Sequence, residues 1–164
     1  MAFSIRKASP ADADFVVSLF ARPHVRDQLH GPTVEEFARS LERPSIENYI
    51  VERDGVRFGN LVLGIDPDWL LTIRAVAALE PKRGAGRFAV EYAIERGFGQ
   101  LGVHRICLEV LSGNASARRL YERLGFRMEG LYRDGYRSDS GAFLNLVAYG
   151  MLTGDRRLAA SRAP

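Results

Sequence analysis

The stretch LEVLSGNASARRLYERLGF, residues 108–126, begins in an apolar run and ends in an amphipathic one. The apolar run over residues 103–111 predicts a buried strand. Asn114 is a favourable helix N-cap, and Gly125 follows the amphipathic run as a natural helix stop. The stretch therefore predicts a strand, a tight connection and a helix that ends near Leu124.

Two side chains of this stretch are candidates for chemistry. Glu109 is an acidic residue in an otherwise apolar strand. Tyr121 stands seven residues after Asn114, two helical turns away and on roughly the same side. Glu109 and Tyr121 could therefore face one cleft. Each residue also has an ordinary explanation. Glu109 fits an outward-facing strand residue, Asn114 a simple helix cap and Tyr121 a core aromatic.

A second stretch, IRAVAALEPKRGAGRF over residues 73–88, places a strand before a glycine-bearing turn and another helix. Glycines permit tight curvature, so successive N–H groups and the helix N-terminus can converge on an anion such as a pyrophosphate. Lys82, Arg83 and Arg87 add positive charge there. The turn lacks the ending of a P-loop and the third glycine of a dinucleotide fingerprint, which disfavours ATP and NAD. Taken alone, it also fits a Gly-rich turn with solvated basic side chains.

The other segments predict a mixed α/β chain of the α+β class. Alternation and turn residues predict strands at 3–7, 47–53, 56–65, 70–79, 103–111, 126–133 and 142–152. Helical spacing and caps predict helices at 10–20, 34–43, 84–101 and 114–124. The dipeptide Asp54-Gly55 predicts a tight hairpin turn, and Thr33 with Glu36 forms a capping box. We expect one domain over residues 1–152 and a flexible tail over 153–164.

Composition narrows the class of protein. The 164 residues are 46% hydrophobic, enough for a core without disulfides or metals. No segment fits a signal peptide or a membrane span, so we expect a cytoplasmic protein without membrane contact. The net charge of +3 is spread along the chain, so nucleic-acid binding has little support. The lone Cys107 excludes an intrachain disulfide, and its apolar neighbours predict a buried, inert thiol.

Taken together, the two stretches resemble the GNAT superfamily of acyl-CoA N-acyltransferases. The resemblance runs from about Ile73 to Gly130 and rests on EPKRGAGR, LGVHRICLEVLSGNASARRLYERLGF and RMEGLYRDGY. It is closest to the branch with ribosomal-protein N-terminal and small-molecule amine acetyltransferases. The resemblance implies a twisted, mostly antiparallel mixed sheet of six to seven strands with helices on both faces. Acetyl-CoA would lie in a notch between two central parallel strands that splay apart.

The resemblance also implies which residues hold that cofactor. In such proteins the loop matching 82–87 wraps the pyrophosphate, the preceding strand pairs with the pantetheine arm, and the next helix contacts the thiol end. The residues at the matching positions are Val76, Ala77, Ala78, Lys82, Arg83, Gly84, Ala85, Gly86, Arg87, Asn114 and Ala117. One position departs from the pattern, because Pro81 stands where the family usually has Gln or Arg.

The implied reaction is direct attack of a primary amine on the thioester within a ternary complex. Glu109 is the candidate base, through water, and Tyr121 the candidate acid for the departing thiolate. The sequence shows no metal site and no Ser-His or Cys-His pair among its residue spacings. The identity of the acceptor is not readable, and residues 22–44 and 132–141 are expected to shape its side. In the second range, Tyr132, Asp134, Tyr136 and Asp139 could receive a cationic amine, although Asp134 and Asp139 also fit ordinary turn residues. A homodimer is allowed, although no segment specifies an interface.

Two alternatives remain open at this point. A module that binds coenzyme A for a regulatory purpose would need the same loop and strands without any transfer. A basic RNA- or ribosome-associated domain would need an aromatic and basic platform, which the sequence lacks.

Overall fold

Seven strands form one sheet in the computed structural model, which describes residues 2–65 and 67–155. They are β1 Phe3–Lys7, β2 Ile46–Arg53, β3 Val56–Ile65, β4 Leu70–Ala78, β5 Arg105–Leu111, β6 Arg127–Arg137 and β7 Phe143–Leu152. The spatial order is β1-β2-β3-β4-β5-β7-β6. The α-helices are α1 Ala13–Phe20, α2 Pro23–Arg26, α3 Val34–Leu41, α4 Ala85–Ile94 and α5 Ala115–Arg123. The predicted mixed, mostly antiparallel sheet is thus confirmed, while the predicted tail lies outside the described residues from 156 onward.

One pair of neighbouring strands is parallel, and it is paired over only four residues. β4 and β5 are in register from Leu70 opposite Arg105 to Ile73 opposite Leu108. Beyond these pairs the two strands have no further ladder, whereas β4 continues to pair with β3 as far as Ala78. The sheet therefore opens into a notch at its centre.

The two faces of the sheet carry separate apolar cores. On one face, α4 and α5 pack through buried residues such as Val90 and Tyr121. On the other, α1 and α3 pack through Val16, Leu19 and Phe37. Burying one such side chain stabilises the fold by roughly 1.5–3 kcal/mol. The notch is therefore bounded by two independently packed helical layers.

Local signals explain several of these elements. Asp54 and Gly55 have φ values of 51° and 79°, as a two-residue hairpin requires. Thr33 caps α3: its Oγ1 accepts a hydrogen bond from the Glu36 N–H at 3.2 Å, and the Thr33 N–H donates to Glu36 Oε2 at 2.8 Å. Both predictions from these residues are confirmed.

The helix predicted over residues 84–101 is not one regular α-helix. α4 ends at Ile94, and the chain continues as a π-helical segment over Glu95–Leu101. A β-carbon at Gly97 would lie 2.8 Å from Ile106 Cδ1, so this segment packs directly on the sheet. Helix periodicity in the sequence is similar in both geometries, and the close packing became visible only in the folded chain.

The α1 layer is fixed to the sheet by a buried ion pair. The Arg6 guanidinium donates to both carboxylate oxygens of Asp12, at 2.8 and 2.9 Å, and the Ser9 N–H donates to the same carboxylate. The hydrogen bonds from Arg6 hold the pKa of Asp12 well below its usual range. Asp12 therefore joins the start of α1 to β1.

Candidate functional site

A cleft of about 630 Å³ occupies the notch where β4 and β5 part. Its walls come from β4, β5, α5 and the segment around α2. The predicted site residues that line it are Val76, Ala77, Ala78, Glu109, Asn114, Ala117 and Tyr121. The residues of the predicted loop, 82–87, do not line the cleft itself but follow Pro81, which stands at its mouth. The structure thus brings the strand and helix predictions together and places the loop just outside.

The loop over residues 82–87, called here the glycine loop, carries free backbone donors. Within the described part of the chain, none of its N–H groups donates a hydrogen bond to another backbone group. Lys82 has a φ of 59° and Gly84 a φ of 92°, so the backbone turns twice before α4 begins. Gly84 is also the N-cap of α4, whose first N–H groups have no partner inside the helix. Free donors at a helix N-terminus fit a diphosphate.

Basic side chains around the glycine loop add to this potential. Arg83 Nε lies 3.4 Å from Glu80, and Arg87 Nε lies 2.8 Å from Glu91. Both ion pairs are exposed, so each contributes little to stability and its arginine can turn toward another anion. The loop therefore offers movable cations beside fixed N–H groups.

The edge of β4 beyond Ile73 has unpaired backbone groups toward β5. On its other side, Val76 pairs with Leu61 and Ala77 with Asn60. An exposed strand edge binds an extended ligand that carries amide groups, as in strand addition. Residues Val76–Ala78 therefore fit the amide-bearing arm of coenzyme A.

The face of α5 toward the cleft carries three of the predicted residues. Asn114, Ala117 and Tyr121 follow one another at helical spacing. Asn114 Oδ1 accepts a hydrogen bond from the Ala117 N–H at 3.2 Å, which leaves its amide N–H₂ available to the cleft. Tyr121 is 9% exposed, and burial raises its pKa to about 12. Its hydroxyl therefore keeps its proton at neutral pH.

Glu109 and Cys107 lie on β5 and line the same cleft. Glu109 is exposed. Cys107 is half-buried, and its Sγ lies 3.5 Å from Thr72 Oγ1. The prediction that this thiol is buried is wrong, because Cys107 stands on the same face of β5 as Glu109 and that face lines the cleft. That the thiol is inert stays a prediction.

Three cleft residues were not among the individual candidates from the sequence: Gln28 and His24 from the region of α2, and Arg74 from β4. Tyr136 of β6, a candidate for the acceptor side, also lines the cleft. No local motif marks Gln28, His24 or Arg74, because they meet only when distant segments fold together.

The acidic residues of the late connection have other partners. Asp139 lies 3.0 Å from His30 Nδ1, and the His30 ring stacks on Tyr136 with ring centres 4.7 Å apart. Asp134 has a φ of 53° and donates its N–H to Asn145 Oδ1 at 2.9 Å, so it serves the backbone turn. The hydrogen-bonded turn accounts for Asp134, while Asp139 helps to hold Tyr136 in the cleft wall.

Two kinds of feature, a metal-binding group and a membrane-spanning helix, are absent from the described residues. No group of three or more His, Cys, Asp or Glu side chains in 2–65 and 67–155 is arranged to hold a metal ion. Within the same ranges, no helix has both the length and the apolar character needed to cross a bilayer.

Comparisons with known proteins agree with this geometry. Residues 13–126 match the model of the acetyltransferase (GNAT) family. The ribosomal-protein-S18-alanine N-acetyltransferase of Escherichia coli shares 22% identity over 92% of this chain and 94% of its own, with a TM-score of 0.78. The spermidine/spermine N-acetyltransferase SpeG of Vibrio cholerae shares 20% identity over 98% of this chain and 98% of its own, with a TM-score of 0.80. The protein yncA of Salmonella typhimurium, solved with its cofactor acetyl-CoA, shares 20% identity over 93% of this chain and 94% of its own, with a TM-score of 0.76.

Proposed function

The chain belongs to the GNAT acetyltransferase family, which uses acetyl-CoA, and from this premise we propose that it acetylates a primary amine by direct attack in a ternary complex. The observation that carries the proposal is the combination of the splayed β4–β5 notch and the unpaired donors of the glycine loop. The acetyl donor supplies the thioester. The residues of this chain supply its orientation, a base for the amine and a proton for the leaving sulfur.

Orientation comes mainly from the backbone. The N–H groups of residues 82–87 and the start of α4 would hold the diphosphate, and Val76–Ala78 would pair with the amide-bearing arm. A free N–H near Val76 would polarise the thioester carbonyl as an oxyanion-hole donor does. Ala117 and Asn114 would contact the thiol end from α5. These contacts would hold the acetyl group inside the cleft.

Glu109 would act as the base, through water. An amine must lose a proton to attack, and a charged carboxylate on the cleft wall can take that proton by way of one water molecule. The amine nitrogen then forms its bond to the acetyl carbon as the carbon–sulfur bond breaks. The exposure of Glu109 supports this role, because an exposed carboxylate can receive a proton through a water molecule.

Tyr121 would donate a proton to the departing thiolate. Its buried hydroxyl is protonated at neutral pH and forms no hydrogen bond with another described residue. A phenol with a pKa of about 12 transfers its proton only as negative charge develops on sulfur, so it stabilises the transition state more than the bound thioester. Tyr121 therefore fits the general acid of the reaction.

The competing mechanism places an acetyl group on the chain itself, and Cys107 is the residue to examine. Initial rates measured at several concentrations of acetyl-CoA and amine should give intersecting reciprocal plots, as a ternary complex requires. Cys107→Ala should keep at least half of the wild-type kcat. Parallel plots, or an acetylated Cys107 detected by mass spectrometry in protein incubated with acetyl-CoA alone, would contradict direct attack.

A regulatory module that only binds coenzyme A predicts a different result. Such a module would be stabilised by acetyl-CoA in a thermal melt but would release no thiol with any amine. The same two measurements therefore separate a transferase from a binding module.

A further inference from the structure

Arg74 lies at the point where β4 separates from β5. The last parallel pair is Ile73 with Leu108, so Arg74 and Glu109 are the first residues of the two strands beyond it. A strand rises by about 3.3 Å per residue, which puts Arg74 roughly 13 Å along β4 from Ala78, at the opposite end from the glycine loop. Arg74 is therefore remote from the site proposed for the diphosphate.

A β-bulge directs Arg74 into the cleft. The pairing of β4 with β3 passes from Ile73 opposite Leu63 to Ala75 opposite Val62, and Arg74 is the extra residue. Ile73 belongs to the core on the α4 face, whereas Ala75 packs on the α1 face. A bulge places two successive side chains on one side of a sheet. Arg74 and Ala75 accordingly both line the cleft, and both line a second cavity next to it.

The Arg74 guanidinium is positioned but unpaired. Its side chain crosses β3 over Gly64, where a β-carbon would lie 2.5 Å from Arg74 Nε. Among the described residues it forms no ion pair and no hydrogen bond, and neither does the Glu109 side chain. Arg74 is also the only Lys or Arg of the described residues that lines either cavity. Two unpaired opposite charges thus stand on neighbouring strands around one opening.

A hydrogen-bond acceptor suited to a cation lines the same cleft as the Glu109 carboxylate. Gln28 Oε1 is fully buried in the cleft wall and accepts no hydrogen bond from a described residue. A buried carbonyl oxygen without a donor costs about 1–3 kcal/mol, which a bound N–H group would recover. Gln28 and Glu109 together suit an ammonium or amine group, while Arg74 suits a carboxylate.

Building on the proposed function, we propose that the acceptor is a free α-amino acid. Its carboxylate would pair with the Arg74 guanidinium, which presents paired N–H donors to two oxygens. Its amino group would lie toward Glu109 and Gln28, in the direction of the thioester. A polyamine carries only positive charge and would be repelled by Arg74. An ordinary peptide N-terminus has no carboxylate so close to its amine and would leave Arg74 unpaired.

The second cavity gives room for the amino-acid side chain. It measures about 390 Å³ and lies between α1, α3 and the sheet, with apolar walls from Val16, Phe20 and Phe37. Its floor includes Asn60, which is 1% exposed and whose Oδ1 accepts no hydrogen bond from a described residue. Arg74 and Ala75 line both cavities. The side chain attached to the same α-carbon as that carboxylate would occupy this second cavity.

The test compares matched acceptors in a thiol-release assay with acetyl-CoA. The pairs are methionine with methioninamide and glutamine with glutaminamide, and spermidine and a peptide beginning with alanine complete the panel. The amide of each pair has the more easily deprotonated amine, so a larger fraction of it is neutral and able to attack at neutral pH. We expect kcat/KM for the free acid to exceed that for its amide at least tenfold, because a charge-assisted pair contributes this much to binding.

Two variants identify the residue responsible. Arg74→Gln should reduce the acid-to-amide ratio to one or below, with the KM for acetyl-CoA unchanged. Gly64→Ala keeps the charge but displaces the guanidinium, and it should lower the ratio at least threefold. Arg43→Gln removes an equal charge from an exposed position outside both cavities and should keep the wild-type ratio.

The outcomes are distinguishable from failure of the transferase proposal. Thiol release with spermidine or the peptide, but with no amino acid, would overturn the amino-acid inference and leave amine acetylation standing. Equal losses for acid and amide in Arg74→Gln would also overturn it, since they would show a structural role. Absence of release with every acceptor would overturn both proposals.

Discussion

The two ends of the cleft are built in different ways. The end proposed to hold the acetyl donor, next to the glycine loop, offers mostly backbone N–H groups and a helix N-terminus. The end proposed for the acceptor, around Arg74, is made of side chains from β4, β5, α2 and β6. A site made of backbone N–H groups requires only that a few consecutive residues adopt the right conformation, so different members of a family can share it. A site made of side chains can differ between members that bind different substrates. Specificity for the acceptor is therefore expected to depend on the side chains around Arg74.

The largest effect is expected from removal of one hydroxyl group near the proposed donor end, that of Tyr121. Tyr121→Phe should lower kcat at least 100-fold, about 2.7 kcal/mol, because the hydroxyl is proposed to act only as the thiolate forms. Because burial raises the pKa of Tyr121 to about 12, wild-type rates should show no decline from its ionisation up to pH 10. The rate of thiol release, measured for both proteins across this pH range, gives the change in kcat and the pH dependence.

The matched control for this variant is Tyr132→Phe, since Tyr132 is exposed and lies outside the cleft. It should keep wild-type kcat. The affinity of Tyr121→Phe for acetyl-CoA, measured by calorimetry, should stay within threefold of wild type. A kcat within threefold of wild type in Tyr121→Phe would remove the proposed acid.

The next prediction concerns the layer that supports the acceptor end. Asp12→Asn should lower the free energy of unfolding by about 2 kcal/mol, because it leaves Arg6 without its buried partner; this figure is reduced for the partial exposure of Arg6. The folded-state pKa of Asp12 is lowered, so its contribution is complete above the unfolded value near 4 and is lost as the pH falls below it.

Urea unfolding of wild type and Asp12→Asn at several pH values checks this. The gap between them should be constant from pH 7 to 5 and should narrow below about pH 4. Asp27→Asn, an exposed carboxylate in a weak surface pair, is the control and should change stability by less than about 0.5 kcal/mol. A gap that widens in acid would show that the sign of the linkage is wrong.

A third prediction tests the backbone character of the donor end. Gly84→Ala should weaken acetyl-CoA binding about tenfold, because an alanine at a φ of 92° is strained by roughly 1–2 kcal/mol and its β-carbon would press on the Phe3 ring. Thermal shift against acetyl-CoA concentration gives the affinity. Gly130→Ala, with open space around it, should bind as wild type does. Unchanged affinity in Gly84→Ala would mean that the loop conformation does not hold the donor.

The smallest effect is expected at the helix that borders the second cavity. Thr33→Ala removes the N-cap of α3 and should cost about 1 kcal/mol, or a Tm lower by about 2–4 °C. Thr33→Ser keeps the oxygen and should recover most of the loss. A calorimetric scan distinguishes them, and equal melting temperatures for the three proteins would show that α3 does not need its cap.

The proposed donor end rests on residues that lie close together in the sequence, and its role stays a prediction. Gly84 and Gly86 stand next to the start of α4, and Asn114 stands seven residues before Tyr121, so chain geometry alone relates them. The capping box at Thr33 and the hairpin turn at Asp54 were predictable for the same reason. In each case the relevant interaction lies within about two helical turns of chain.

The remaining features depend on contacts between segments far apart in the sequence. The π-helical segment around Gly97 reflects close packing on β5 and β4, which periodicity does not report. Cys107 has apolar neighbours in sequence, yet it stands on the face of β5 that lines the cleft. Burial in a strand is set by neighbouring strands and not by adjacent residues.

The class of fold could be inferred from local periodicity, glycines and helix caps, and the family from the resemblance of two stretches of sequence. Folding had to be seen to learn that Arg74 leaves the ladder at a bulge, has no partner among the described residues and lines one cleft with Glu109 and Gln28. This is because a bulge and a break between strands are properties of pairing. Pairing depends on the partner strands, and no single stretch of chain contains them.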